Sequence, residues 1–229
     1  MHLNRKLTYS FYFFILLIMF SCGSTSGIRS MENEGVEELI EEKINILSLG
    51  DSYTIGESVC QKCRFPEQLI DSLRQRNADL DFDLKVIATT GWTTRNLINA
   101  IDNQELSTNF DLVTLLIGVN NQYQRLPFST FEKEFPLLIQ KAIKSVNSDK
   151  SKLIVLSIPD YAFTPFGNGN KIISQEIQKY NTYIKNFCSS NNITFLNITN
   201  ITQSGLANPD YVANDGLHPS KEVYTEFVK

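Results

Sequence analysis

Side chains suited to chemistry stand in four short strings of this 229-residue chain. Gly50-Asp51-Ser52 ends an apolar run and leads into Tyr53-Thr54-Ile55-Gly56-Glu57. A serine just beyond a buried strand, with a flexible glycine ahead of it, can present its hydroxyl at a sheet edge as a nucleophile. The same string is also an ordinary turn with a serine cap. Gly118-Val119-Asn120-Asn121 offers a side-chain amide, a neutral donor for a developing oxyanion, although asparagine at a strand end commonly serves a turn. Asn214-Asp215-Gly216-Leu217-His218-Pro219 sets a carboxylate three residues before an imidazole. On one side of a tight turn that carboxylate accepts the Nδ1 proton, fixes the tautomer and leaves Nε2 free to take a proton from a hydroxyl. Cys60-Gln61-Lys62-Cys63 is the fourth string, a spacing shared by local disulfides and thioredoxin-like redox pairs. Each string alone has a bland reading as a capped turn. The order Ser, Asn, Asp, His is what points to acyl transfer on a serine.

The chain has two histidines, His2 and His218. His2 falls in a segment expected to be removed, so an acid–base role rests on His218, and a histidine-rich metal centre is excluded. Zinc on Cys60 and Cys63 would have only Cys188 and His218 in the mature domain to complete it, so no metal is expected, and acyl transfer on a serine requires no organic cofactor. A formal charge of −4 offers no footprint for phosphates, and nucleic acid is not an expected partner. An apolar content of 42% suffices for one sizeable core, no repeat of 20–50 residues is present, and a monomer is expected.

Positioning these strings calls for strands that end where the strings begin. Compact runs rich in Ile, Val and Leu at 44–49, 84–88, 112–117, 153–157 and 193–196 predict strands buried on both faces. Helical patterns at 66–76, 94–104, 131–146 and 172–189 lie between them, and 220–229 reads as a short closing helix. Pro66 suits a first helical turn and Thr93-Thr94 a cap. Five strands alternating with helices describe an α/β domain with a parallel sheet and helices on both faces. In such sheets, sites form at the carboxyl ends of the strands.

The N-terminal segment gives the compartment. His2, Arg5 and Lys6 precede ten unbroken apolar residues, 11–20, which as a helix span about 15 Å and so read as the apolar region of a signal peptide. Ser21-Cys22-Gly23-Ser24 resembles the lipobox of bacterial lipoproteins, in which the cysteine is lipidated and becomes the new N-terminus. Met19 and Phe20 depart from the commonest pattern, and ordinary secretion or an uncleaved anchor are the alternatives. Each one places the domain outside the cytoplasm. Loss of 1–21 removes two of the 21 basic residues and no acid, leaving a net charge of −6. Residues 22–43, with six glutamates, read as an acidic tether, and 44–229 as the domain itself. In an oxidising compartment a local Cys60–Cys63 disulfide is expected, with free thiols or a redox pair as alternatives, and Cys188 stays unpaired in a helix.

From residue 44 to the C-terminus the chain resembles the SGNH, or GDSL-type, family of esterases and lipases. Gly50-Asp51-Ser52 with Tyr53 to Glu57 is similar to the family's nucleophile block, and Thr90-Gly91-Trp92-Thr93-Thr94 to its glycine block. Gly118 to Asn121 is similar to the asparagine block, and Asp215 to His218 to the Asp-His block. The resemblance implies a three-layer α/β/α fold around a five-stranded, mostly parallel, flavodoxin-like sheet. It implies Ser52 as nucleophile, His218 as base, Asp215 as its orienter, and an oxyanion hole from the N–H groups of Ser52 and Gly91 and the amide of Asn120. The substrate is then a small-molecule, glycan or lipid ester, such as an acetylated carbohydrate or a lysophospholipid. Where the family usually has Asp this chain has Asn121, a departure that bears on loop support. Tyr123 and Tyr161 are candidate pocket residues, and Trp92 either walls the acyl pocket or packs in the core. A non-catalytic surface binding protein on the same scaffold, or a CxxC redox protein, are the alternatives.

Overall fold

Unbroken apolar runs become strands covered on both sides. The computed structural model describes residues 43–229, so the signal segment, Cys22 and all of the tether but Lys43 lie outside the described residues. The chain runs β1 (Lys43–Gly50), α1 (Ser52–Ile55), α2 (Phe65–Arg76), β2 (Asp81–Ala88), α3 (Thr94–Asp102), β3 (Leu112–Leu116) and α4 (Val119–Tyr123). It continues through α5 (Phe128–Ser145), β4 (Leu153–Leu156), α6 (Lys171–Ser190), β5 (Thr194–Leu196), α7 (Thr199–Thr202) and α8 (Lys221–Phe227). β1 starts one residue earlier than the domain boundary read from the sequence, because Lys43 already pairs with Asp81 in the ladder.

The sheet order is β2-β1-β3-β4-β5, and every neighbouring pair is parallel. The chain steps from β1 out to β2, then crosses back to β3 on the other side of β1. This reversal opens a crevice at the carboxyl ends of β1 and β3, the usual place for a ligand in such a sheet. Side chains alternate across β1: Leu47 and Leu49 enter the main core, while Ile46 enters a smaller cluster with Ile70 of α2 and Phe82 of β2. α2 and α8 pack together, with Phe65 and Tyr224 rings 6.3 Å apart and the Thr225 hydroxyl donating to Gln68 Oε1 at 2.7 Å. α3, α5 and α6 form the other outer layer, joined by the Arg95–Glu134 ion pair and by Phe131 against Tyr180 at 4.7 Å.

One element departs from the sequence pattern in an instructive way. The helix expected over 131–146 starts at Phe128 and contains Pro136. Proline removes the N–H that would bond the carbonyl of Glu132, and the Tyr183 hydroxyl donates to that carbonyl instead, at 3.1 Å. The helix therefore passes through its proline with no orphaned acceptor at this turn. Among the described residues no helix is long and apolar enough to cross a membrane.

Candidate active site

The Ser52 loop is built by a sharp turn after β1. A Cβ on Gly50 would fall 2.1 Å from Thr54 Oγ1 and 2.5 Å from the Leu116 carbonyl oxygen, so no larger residue fits where the strand ends. Asp51 then caps α1, its Oδ1 accepting the Tyr53 N–H at 3.0 Å. The cap makes Ser52 the first residue of α1, at the carboxyl edge of the sheet. Asp51 is wholly buried, and burial pushes its carboxyl up to about 7 against the opposing pull of the Tyr53 N–H and the Asn120 amide.

The Asp215–His218 turn is closed from both sides. Val212 and Pro219 form an antiparallel bridge, the Ala213 N–H donates to the His218 carbonyl at 2.7 Å, and the Gly216 N–H donates to the Ala213 carbonyl at 2.9 Å. Asp215 Oδ1 accepts the N–H groups of Leu217 and His218 at 2.9 and 3.0 Å. Its Oδ2 lies 2.6 Å from His218 Nδ1 and accepts the Ser58 hydroxyl at 2.7 Å. Partial burial opposes the charge on Asp215, but hydrogen bonds from the His218 ring, the His218 N–H, the Ser58 hydroxyl and the Leu217 N–H outweigh it and bring the carboxyl down to about 2. His218 is buried beside Tyr53, with ring centroids 5.1 Å apart.

Two further strand ends supply donors. After β2 the chain turns through Gly91 at φ +80°, a conformation that suits glycine, with nothing within 4 Å of where a Cβ would stand. Backbone geometry, and not crowding, is what asks for glycine here. The N–H groups of Ser52 and Gly91 bond to no group among the described residues, and Gln124 Nε2 donates to the Gly91 carbonyl at 2.8 Å, tying this turn to the end of α4. Asn120, buried in α4, directs Nδ2 toward Asp51 Oδ2 at 3.4 Å.

Ser52, Gly91, Asn120 and His218 all line one cleft of about 160 Å³, together with Tyr123, Tyr161 and Leu217. Asp215 stands behind His218. The structure thus gathers all five residues singled out from the sequence, drawn from the ends of three strands and one late turn. Ser52 Oγ and His218 share the cleft without a hydrogen bond between them, a contact that often tightens only when substrate is present. Trp92 is half-buried and packs against the core, beside the Gly91 turn.

The sequence pointed to Asn121 and to the Cys60–Cys63 disulfide, but not to Glu134 or Ser58, which complete the support of the site. Asn121 Oδ1 accepts the Thr94 N–H at 3.0 Å, and Nδ2 donates to Thr94 Oγ1 at 2.7 Å. The Thr94 hydroxyl in turn donates to Glu134, which also pairs with Arg95 at 2.7 Å. An aspartate at position 121 would compete with Glu134 for the single Thr94 proton; the amide removes that conflict and supports the loop. Ser58 and Glu57 sit on the loop between α1 and α2. The first bonds Asp215, the second accepts the Thr90 hydroxyl, and Cys60 and Cys63 on the same loop form a disulfide. This loop therefore touches the glycine turn and the acid–base turn at once. Cys188 is free and buried, its thiol pushed up to about 11 by burial. The only sequence hint to Ser58 was its nearness to the nucleophile string.

Comparison with known proteins agrees with this geometry. The profile of the GDSL-like lipase/acylhydrolase family matches residues 48–225, well over half of the chain. The chain belongs to this family. Membership places it among hydrolases of ester bonds. A comparison with curated protein sequences returns no significant match. Among solved structures, an alpha/beta hydrolase from the metagenome of Lake Arreo is 17% identical with a TM-score of 0.65, covering 82% of this chain and 93% of that one. An acetyl xylan esterase from Geobacillus stearothermophilus is 17% identical with a TM-score of 0.62, over 82% and 93% of the two chains. A psychrotrophic esterase from Pseudoalteromonas sp. is 18% identical with a TM-score of 0.57, over 80% and 92%. At these identities the likeness is one of fold.

Proposed function

We propose that this chain is a serine esterase that hydrolyses carboxylic esters through an acyl-enzyme on Ser52. Ser52 Oγ attacks the ester carbonyl while His218 Nε2 takes its proton; the bond to the alcohol oxygen then breaks as that proton passes to the leaving group. Water attacks the acyl-enzyme next, giving a proton to His218 that returns to Ser52 Oγ. The carboxylic acid and the free enzyme result. Asp215 orients His218 and stabilises the imidazolium without being protonated, in keeping with a carboxyl held at about 2. The free N–H groups of Ser52 and Gly91 and the Asn120 amide hold the oxyanion, each such donor typically worth about 3 kcal/mol at the transition state.

The observation that carries this reading is the 2.6 Å contact of Asp215 with His218 Nδ1 behind a cleft that also holds Ser52. A fluorophosphonate probe tests it. Labelling at Ser52 that disappears in Ser52→Ala supports the enzyme; folded protein that takes no label is a binding module on the same scaffold.

We further infer that residues 1–21 are a lipoprotein signal peptide, that Cys22 carries a lipid anchor, and that 22–43 tether the domain 44–229 to a bacterial membrane, facing the periplasm or the cell surface. The Ser21-Cys22 string after its apolar run supports this, as does the Cys60–Cys63 disulfide, since such bonds persist in oxidising compartments. Incorporation of a fatty-acid analogue, lost in Cys22→Ser, is the expected result; equal labelling of both proteins refutes the anchor.

A further inference from the structure

The cleft at Ser52 is small beside what adjoins it. A groove of about 710 Å³ continues from it, sharing Tyr123 and Tyr161 as common walls. The cleft encloses less than a quarter of that volume, so the long dimension of any extended substrate must lie in the groove. The chemistry of the groove wall decides what that extended part can be.

Three rings form an aromatic shelf: Tyr123 lies 6.1 Å from both Tyr161 and Phe166, and Tyr161 lies 6.3 Å from Phe166. Tyr123 and Phe166 are each 52% exposed, and both belong to the groove wall. The opposite character runs alongside. The Tyr161 hydroxyl donates to Gln122 Oε1 at 2.7 Å, and Gln122 Nε2 donates to Glu176 Oε2 at 2.6 Å. Arg125 and Lys179 line the same groove. Leu126, Phe128, Ile172 and Ile173 also line the groove and would meet an alkyl chain, but that chain would strip water from Glu176, Arg125 and Lys179 and return no hydrogen bonds to them. A sugar chain brings apolar ring faces for Tyr123 and Phe166 and hydroxyls for the charged groups.

We infer that this groove is the alcohol-side subsite of the esterase and receives a glycan chain bearing short acyl esters. The inference rests on the proposed reaction at Ser52 and adds the substrate class. The ester carbonyl sits in the cleft, the glycan hydroxyl oxygen is the leaving group, and the sugars on either side of the acylated one lie along the aromatic shelf.

The full chain is assayed on para-nitrophenyl acetate, para-nitrophenyl dodecanoate and acetylated xylo-, manno- and gluco-oligosaccharides, as wild type, Phe166→Ala and Glu176→Gln. For an acetylated oligosaccharide, kcat/KM relative to that for para-nitrophenyl acetate falls roughly tenfold in Phe166→Ala and less in Glu176→Gln. Ratios unmoved by both variants, or a preference for dodecanoate that Phe166→Ala erases, overturn the glycan assignment. Calorimetric titration of Ser52→Ala with the unacetylated oligosaccharides provides a readout independent of turnover. Binding weakened by Phe166→Ala in a protein whose wild type cleaves no ester leaves the subsite standing and removes the esterase. Cleavage of para-nitrophenyl acetate with neither binding nor deacetylation of any oligosaccharide does the reverse.

Discussion

The Ser52 loop and the Asp215–His218 turn each hold a carboxylate, and they treat it in opposite ways. Asp51, next to Ser52, is fully buried, and burial holds its carboxyl up at about 7 against the pull of the Tyr53 N–H, the more distant Asn120 amide and its own backbone N–H. Asp215, three residues before His218, is also penalised by burial. Four donors outweigh that penalty and bring it down to about 2. Depth of burial set against hydrogen bonding, and not nearness to Ser52 or His218, sets the charge: Asp51 is wholly enclosed, while Asp215 keeps part of its surface in water. A fixed negative charge is thereby kept behind the imidazole, where a positive charge develops in the proposed reaction. Beneath Ser52, where an oxyanion would form, charge is disfavoured.

Substitution separates the two carboxylates most sharply. Asp215→Asn is expected to lower kcat by roughly a thousandfold or more, because the imidazole loses its preferred tautomer. Asp51→Asn should cost at least about tenfold less. Equal losses, measured by steady-state kinetics on one small ester, would break the contrast. Asn120→Ala, which removes the donor that faces Asp51, should lower kcat by about a hundredfold with little change in KM.

The pH dependence of stability should carry opposite signs. Folding raises the Asp51 carboxyl, so the folded chain binds more protons than the unfolded one between about pH 4 and about pH 7. Its contribution is full below about pH 4 and is lost as pH rises to about 7. Folding lowers the Asp215 carboxyl, whose contribution is full above about pH 4 and is lost as pH falls toward about 2. In thermal denaturation, the Tm of Asp51→Asn relative to wild type should rise from about pH 4 to 7. The deficit of Asp215→Asn should shrink on going below about pH 4. Parallel curves for wild type and both variants would show that neither carboxylate is perturbed.

The smallest effect is expected at Ser58. Ser58→Ala removes one of the four donors to Asp215, lowering kcat a few-fold and moving acid unfolding to higher pH. Ser58 stands at φ +64°, so Ser58→Gly loses the same hydroxyl while easing the backbone. The glycine variant should be more stable than the alanine variant and equally slow. A glycine variant with wild-type kcat would show that the hydroxyl does not position Asp215.

Ser52 and Asn120 were legible because each belongs to a local string that begins where an apolar run stops, Asp215 and His218 because they stand three residues apart in one turn, and Gly91 only through the family resemblance. The runs themselves were legible because a parallel sheet covered on both faces leaves no polar alternation to confuse the pattern. Ser58 was invisible, since its partner is 157 positions away, and so was Glu134, which meets Thr94 across 40 positions. The groove wall joins Gln122 to Glu176 across 54 positions, and no spacing within either segment signals it. α5 begins three residues before the apolar pattern that starts at Phe131, directly after Pro127, and the Tyr183 hydroxyl that satisfies the carbonyl freed by Pro136 comes from another element.

The bond from Ser58 to Asp215 also says something about time. β1 and α1 emerge early in synthesis, yet the turn that holds His218 closes only once Val212 and Pro219 have bridged, and α8 must still dock on α2 behind it. On the proposed chemistry, a growing chain can expose Ser52 for most of its synthesis and remain inert toward esters. On that chemistry activity would switch on with near-completion of the domain, and truncated or half-folded copies would carry the serine without its base.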